Sequence, residues 1–478
     1  MKFRHLRKTR IFLLTLAISS NLFSLSANAA ETVAEQTATS STRITFAEQP
    51  LDFPSFFRPN NENCGKKVCD WRDSKFGDGF IDYPRCDEVN GKNCLKSIEI
   101  STKQSEFSKL TFYDEIMWKK INIESPSLQM KGGAPSIWTM RGEDGNLKYF
   151  LAKIFSGFAW NNGDPILDKI EMRITPVTPV TQGGFVAYCL SKSNEACFRV
   201  IDFERDLRLR VSLSTPTSLG GFFMGRIGNP NVKQTLNSKT RQNAIELTAE
   251  PITVPGMSVL VPDDVAIPAN LKFVTRGESQ DFPSYDGWWN EIFNFASKFA
   301  NDRVTNYSTV WSVYAMSPGS TSYAGCARPS SGFIGTGTTN AMRYDFNPPN
   351  FKDGFFTFKL SGLHYMPDGT NLELGQYELM LNSEFAKCLY RSSKVPLVAR
   401  IEITNANGKT NVTTTASQER DGWFKLQIAA LTFSTKTIKI SFTSEKPKTI
   451  QCKKENKVQS ITRVKPTCPK GWMLVKSA

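Results

Sequence analysis

Ten cysteines in tight groups constrain this chain more than any other feature. Four fall at Cys64, Cys69, Cys86 and Cys94, and the rest lie in near pairs: Cys189 with Cys197, Cys326 with Cys388, and Cys452 with Cys468. An even number of cysteines outside the reducing cytosol favours disulfides, and the simplest expectation is pairing within each group. Within the first group the connectivity stays open. A zinc site there is the alternative, but the spacing C-x4-C-x16-C-x7-C lacks a C-x2-C knuckle, so neither a metal nor a cofactor is expected.

The N-terminus agrees with an oxidising destination. Lys2, Arg4, Arg7, Lys8 and Arg10 precede an apolar stretch from Ile11 to about Ala27, which ends in Ala27-Asn28-Ala29-Ala30. A basic start, a short apolar core and a small-residue exit read as a cleavable export signal over residues 1–30. The expected location is therefore secreted or associated with the cell envelope. No later apolar run is long enough to span a bilayer, so no transmembrane segment is expected in the mature chain.

Residues 31–42 are polar, small and aperiodic, the pattern of a disordered spacer. Beyond them short alternating runs predominate. Leu207, Leu209, Val211 and Leu213 alternate with Arg208, Arg210 and Ser212, so one face is buried and the other wet. The same pattern recurs at Phe356, Phe358 and Leu360, at Ala399, Ile401 and Ile403, and at Ile438, Ile440 and Phe442. Asp144-Gly145-Asn146 between two apolar runs predicts a hairpin, and Asn90-Gly91, Asp353-Gly354, Asp368-Gly369, Asn407-Gly408 and Asp421-Gly422 supply further turns. Only the stretch 286–300 carries helical spacing, with Trp289, Ile292, Phe293, Ala296, Phe299 and Ala300 on one stripe. That period predicts an amphipathic helix packed on a sheet, in preference to a sugar-stacking platform. The fold class is mainly β. Two antiparallel sandwich-like domains are expected over 43–265 and 266–444, with one short helix and a small disulfide-linked hairpin over 445–478.

The formal net charge is +14, and the leader accounts for five positive charges and no acid. Residues 446–478 hold nine Lys or Arg against one acid, Glu455, so the body between leader and tail is close to neutral. This asymmetry weighs against nucleic-acid binding, which builds its basic face into the folded domain. Lys453, Lys454, Lys457, Arg463, Lys465 and Lys470, with Trp472 as an apolar plug, form the candidate surface-binding set. Each cation held close to an anionic surface contributes about 1 kcal/mol, screened by salt. The partner that fits is an anionic polymer or glycan of the envelope.

Catalytic constellations are scarce. His364 is the one histidine beyond the leader, which excludes a two-histidine metallopeptidase site and any H-E-x-x-H motif. No G-x-S-x-G elbow accompanies it, and His364 reads as a structural or surface residue. The acid-rich run 70–82 fails as a calcium loop, because Phe76 and Arg85 stand where oxygen ligands belong. A pair of carboxylates for glycoside hydrolysis stays open, without a nameable pair.

The tail, Ile450-Gln451-Cys452-Lys453-Lys454 through Val464-Lys465-Pro466-Thr467-Cys468-Pro469-Lys470-Gly471-Trp472, resembles a cysteine-bracketed basic terminus on exported actinobacterial proteins. Asn340-Ala341-Met342, Leu363-His364-Tyr365, Lys387-Cys388-Leu389-Tyr390 and Asp421-Gly422-Trp423 resemble segments of uncharacterised secreted β-rich proteins of that group. The resemblance implies export and domain kinship, and carries no activity or catalytic residue with it. The leading expectation is a non-enzymatic envelope or extracellular interaction protein held by its tail. A glycan-binding module is the alternative, and a secreted carboxylate-dependent glycosidase the second.

Overall fold

The computed structural model describes residues 42–477, apart from 48–55, 60–75, 181–186, 191–195, 272–278, 284–289, 317–321, 327–331, 393–397, 444–447, 464–467 and a few shorter stretches. The leader, Cys64, Cys69, Trp288, Trp289 and residues 70–75 of the acid-rich run lie outside the described residues, as does the spacer except Thr42, which opens a strand.

The chain is mainly β, and its sheets stack in three layers. A five-stranded antiparallel sheet forms the first layer, in the order Gly228–Asn237, Gln242–Glu250, Leu207–Pro216, Cys94–Thr102 and Ser108–Lys109. Leu209, Val211 and Leu213 are buried, as their alternation predicts. They pack with Ile98, Ile100 and Leu247 against Phe150, Ile154, Met172 and Ile174 of the middle layer. That middle layer begins with the long hairpin Leu147–Asn161 and Asp164–Val180 and continues through Asn306–Met316, Gly221–Arg226, Phe333–Thr339, Leu374–Asn382 and Trp423–Thr432. The third layer contains Phe355–Ser361, Lys436–Thr443, Val398–Asn405 and Thr410–Ala416. Phe356, Phe358, Ile401, Ile438 and Ile440 face a second core with Phe222, Tyr377, Leu379 and Phe424.

Side chains alternate across a strand, so a strand at the centre of three layers must be apolar or small on both faces. Gly221–Arg226 meets this demand: Phe223 enters the first core, while Phe222 and Met224 enter the second. Its parallel neighbour Phe333–Thr339 is buried throughout and places Gly335 opposite Phe222. A Cβ at Gly335 would come within 2.2 Å of the Phe222 ring, which accounts for glycine at that close approach.

These strands also join sequence on both sides of residue 265. Asn306–Met316 pairs with Asp164–Val180, Gly221–Arg226 and Ile252–Val261, and Thr42–Ala47 pairs with Ser279–Pro283. The two sequence halves therefore share the middle layer. Arg226 is buried at this junction, its guanidinium 4.4 Å from the Tyr344 ring centre. It donates hydrogen bonds to the carbonyls of Thr339, Ala341 and Met342, tying down the bend after Phe333–Thr339.

The helical stripe folds as a helix over Asn290–Ala296, extended by a 3-10 turn over Ser297–Phe299. Ile292, Phe293 and Ala296 are buried against Ile44, Phe46, Met257 and Val259, so the stripe packs on a sheet. Phe46 meets Phe293 edge to face, with ring centres 5.5 Å apart. A second helix, Ser383–Leu389, is capped by Asn382, whose side chain accepts from the backbone of Glu384 and Phe385.

Disulfides join Cys86–Cys94, Cys189–Cys197, Cys326–Cys388 and Cys452–Cys468. The first of these consumes two of the four thiols that the zinc alternative requires.

Candidate functional site: a basic terminal sheet

The tail forms a small three-stranded sheet with Lys448–Lys454 in the centre and Lys457–Arg463 and Met473–Ser477 at its edges. Its first turn is a two-residue hairpin. Lys454 pairs with Lys457, and Glu455 takes φ +55, the left-handed conformation such a turn requires. The second reversal runs through Pro469-Lys470-Gly471-Trp472. Trp472 N–H donates to the Pro469 carbonyl at 2.9 Å and Gly471 has φ +83, which glycine adopts without a Cβ clash.

Alternation sorts the sheet into two faces. Ile450 and Cys452 are buried on one, and the Cys452–Cys468 bond closes that side. Lys453 lies on the other, in register with Val458 on one neighbour and Met473 on the other. A row of Val458, Lys453 and Met473 therefore crosses all three strands on one exposed face. Val475 is the extra residue of a bulge opposite Gln451 and Cys452.

The sequence-predicted set distributes around this unit. Lys453, Lys454, Lys457 and Lys470 are exposed, and among the described residues no ion pair engages them. Trp472 is half-buried, and Arg463 ends an edge strand opposite Lys448. Lys465 lies outside the described residues. Sequence reasoning missed Met473-Leu474-Val475 as surface residues. The signal was present as an apolar run directly after Trp472, interrupting the lysines.

Two other features have the geometry of sites. An open cleft of about 720 Å³ lies beside the turn 142–146 and is lined by Leu147, Lys148, Tyr149, Pro176, Asp202 and Glu204 among others. Tyr149 packs edge to face on the exposed Tyr113, with ring centres 5.6 Å apart. Two of the cleft carboxylates are engaged locally: Lys148 Nζ lies 2.6 and 2.7 Å from the two oxygens of Glu204, and Asp202 accepts from the Thr309 N–H at 2.9 Å. Asp144 is held below its ordinary pKa by hydrogen bonds from Asn146. Asp345, Glu373 and Glu378, the carboxylates that burial pushes upward, do not line this cleft.

The second feature surrounds His364. Its Nδ1 lies 2.6 Å from Asp302 Oδ2, and its backbone N–H donates to the other oxygen of the same carboxylate at 3.0 Å. Asp302 thus clamps both ring and backbone. Nearby in the chain, backbone and side-chain hydrogen bonds from Thr370 and Asn371 hold Asp368 at a pKa of about 2, while burial raises Glu373, which accepts from the Tyr307 hydroxyl. These contacts order the 363–373 connection, and among the described residues the imidazole's hydrogen-bond partner is the Asp302 carboxylate, not a hydroxyl or thiol.

No helix among the described residues is long and apolar enough to cross a membrane. No family model, no curated protein and no solved structure matches this chain.

Proposed function

We propose that this chain is an exported, non-enzymatic interaction protein whose basic terminal sheet holds it at anionic envelope material. One observation carries the reading: Lys453, Lys454, Lys457 and Lys470 are exposed on a disulfide-closed sheet, with no ion-pair partner among the described residues. Fixed lysines of one sign gather field and counter-charge in a way that a paired surface does not. The export-type leader and the resemblance to secreted actinobacterial proteins support the same location. The test is fractionation of native cells carrying the full chain or a chain lacking 446–478. The full chain is expected in the envelope fraction and released in part by salt, and the shortened chain in the medium. Equal retention of the two would overturn the assignment of binding to the tail.

A second reading, glycan binding by the body, is favoured by the cleft at Tyr149. A half-exposed ring beside hydroxyl and carboxylate groups offers a sugar both a stacking face and hydrogen-bond partners. A glycan array probed with the native chain and Tyr149→Ala tests it. Binding lost in the variant supports the cleft, and an array without signal removes it.

A further inference from the structure

The terminal sheet carries more than charge, above all along its edge strand Met473–Ser477. Among the described residues, the three most exposed large apolar side chains of the molecule are Met473 (72%), Leu474 (60%) and Val458 (58%), all in this one small sheet. Val475 is exposed beside them, and Trp472 is half-exposed at the start of the same strand. Lys453 stands between Met473 and Val458 on one face, while Leu474, in register with Cys452, and the Lys454 and Lys457 pair project from the other, so the edge strand presents an apolar residue on each side. An apolar strand flanked by cations is costly to leave in water, and a hydrated sugar or phosphate polymer offers it no apolar phase. The surface of an anionic bilayer offers both, with headgroup charge for the lysines and the acyl boundary for Met473 and Leu474.

We propose that the terminal sheet docks on anionic lipid, inserting the edge strand Met473–Ser477 while Lys453, Lys457 and Lys470 engage the headgroups. The proposal rests on the tail-mediated retention above and names its partner. Trp472 lies at the headgroup level, where an amphipathic ring is favoured. Insertion of a few side chains plus a cationic cluster gives reversible attachment by two weak signals. Salt therefore weakens the attachment without abolishing it.

The test uses the full mature chain with its disulfides intact. Co-sedimentation is measured with vesicles of phosphatidylcholine alone, with vesicles of phosphatidylcholine and phosphatidylglycerol, and with a soluble poly(glycerol phosphate) in a separate assay. The native chain is expected on the mixed vesicles, at least tenfold above neutral ones. Brominated acyl chains are expected to quench fluorescence in the native chain and not in Trp472→Phe. The double variant Met473→Ser, Leu474→Ser, altered only at exposed positions, is expected to lose at least tenfold in vesicle affinity and to keep its affinity for the soluble polymer. Vesicle binding unchanged in that variant would overturn lipid insertion. Binding to the polymer with none to either vesicle would also overturn it and leave the cationic retention standing. Failure on vesicles and polymer alike would overturn both.

Discussion

Lys454 and Lys457 stand directly opposite each other at the closed end of the terminal hairpin. Like charges in a cross-strand pair oppose folding, so this pair is a local cost with no structural return. Lys457→Glu converts it to an attractive pair. Amide exchange in 448–463 is expected to slow by roughly twofold, while envelope retention falls. A hairpin that is steadier yet binds less separates stability from attachment; unchanged retention would show that Lys457 takes no part.

The Cys452–Cys468 bond spans 16 residues of sequence in a unit with few buried apolar side chains. Its chain-entropy contribution is about 3 kcal/mol, most of what so small a sheet possesses. Replacing both cysteines by serine is expected to make the tail the first site of limited proteolysis, with the body still protected. Mass mapping of early fragments reads this directly, and an intact tail in the variant would refute it.

Burial holds the Glu378 carboxyl above its ordinary pKa, against the opposing pull of Lys425 and the Asn229 N–H. The folded state thus binds this proton more tightly than the unfolded state. Stability from this group is full below the unfolded value and declines as pH rises through the folded one. Glu378→Gln keeps an acceptor for Asn229 and removes the charge. Urea midpoints from pH 4 to 8 are expected to lose part of their downward slope in the variant, with the largest gain at the alkaline end. Parallel curves for the two proteins would contradict the shift.

Arg226 satisfies three backbone carbonyls at the junction of the layers. Arg226→Met leaves them buried and unpaired, each costing on the order of 1 kcal/mol or more, so a loss of at least about 3 kcal/mol is expected. Chemical denaturation monitored by tryptophan fluorescence measures it. A midpoint within error of the native one would show that the bend is held by other contacts.

The outer layers were readable from sequence because each of their strands has one wet face. Leu209, Val211 and Leu213 in one layer and Ile438, Ile440 and Phe442 in the other keep strict alternation. The turns were readable as well: Asp353, Gly354, Asp421 and Gly422 all take positive φ, in two-residue hairpins closed by Lys352 with Phe355 and by Arg420 with Trp423. In the middle layer the hairpin turn 144–146 was readable, joining Ser136–Arg141 to Leu147–Asn161, but the strands at its centre were not, because strands buried on both faces carry no period to detect. Gly221–Arg226 and Phe333–Thr339 are such strands, and their parallel pairing joins residues far apart in sequence. The helix Ser383–Leu389 escaped notice because seven residues give barely two turns of pattern, although its Asn382 cap is visible in hindsight. At the terminal sheet, the lysines were legible from charge alone. The exposure of Met473 and Leu474 was not, since a run of apolar residues ordinarily reads as interior.

Gly221–Arg226 serves as a party wall between two rooms. Expressing 43–265 by itself would strip Phe222 and Met224 of their neighbours in the second core and turn both toward water, while the complementary fragment would lose the edge on which Phe333–Thr339 is laid. Neither piece is a sound reagent for ligand screening. A substitution along this seam in one half is therefore felt by the other, and the two halves are constrained to change together.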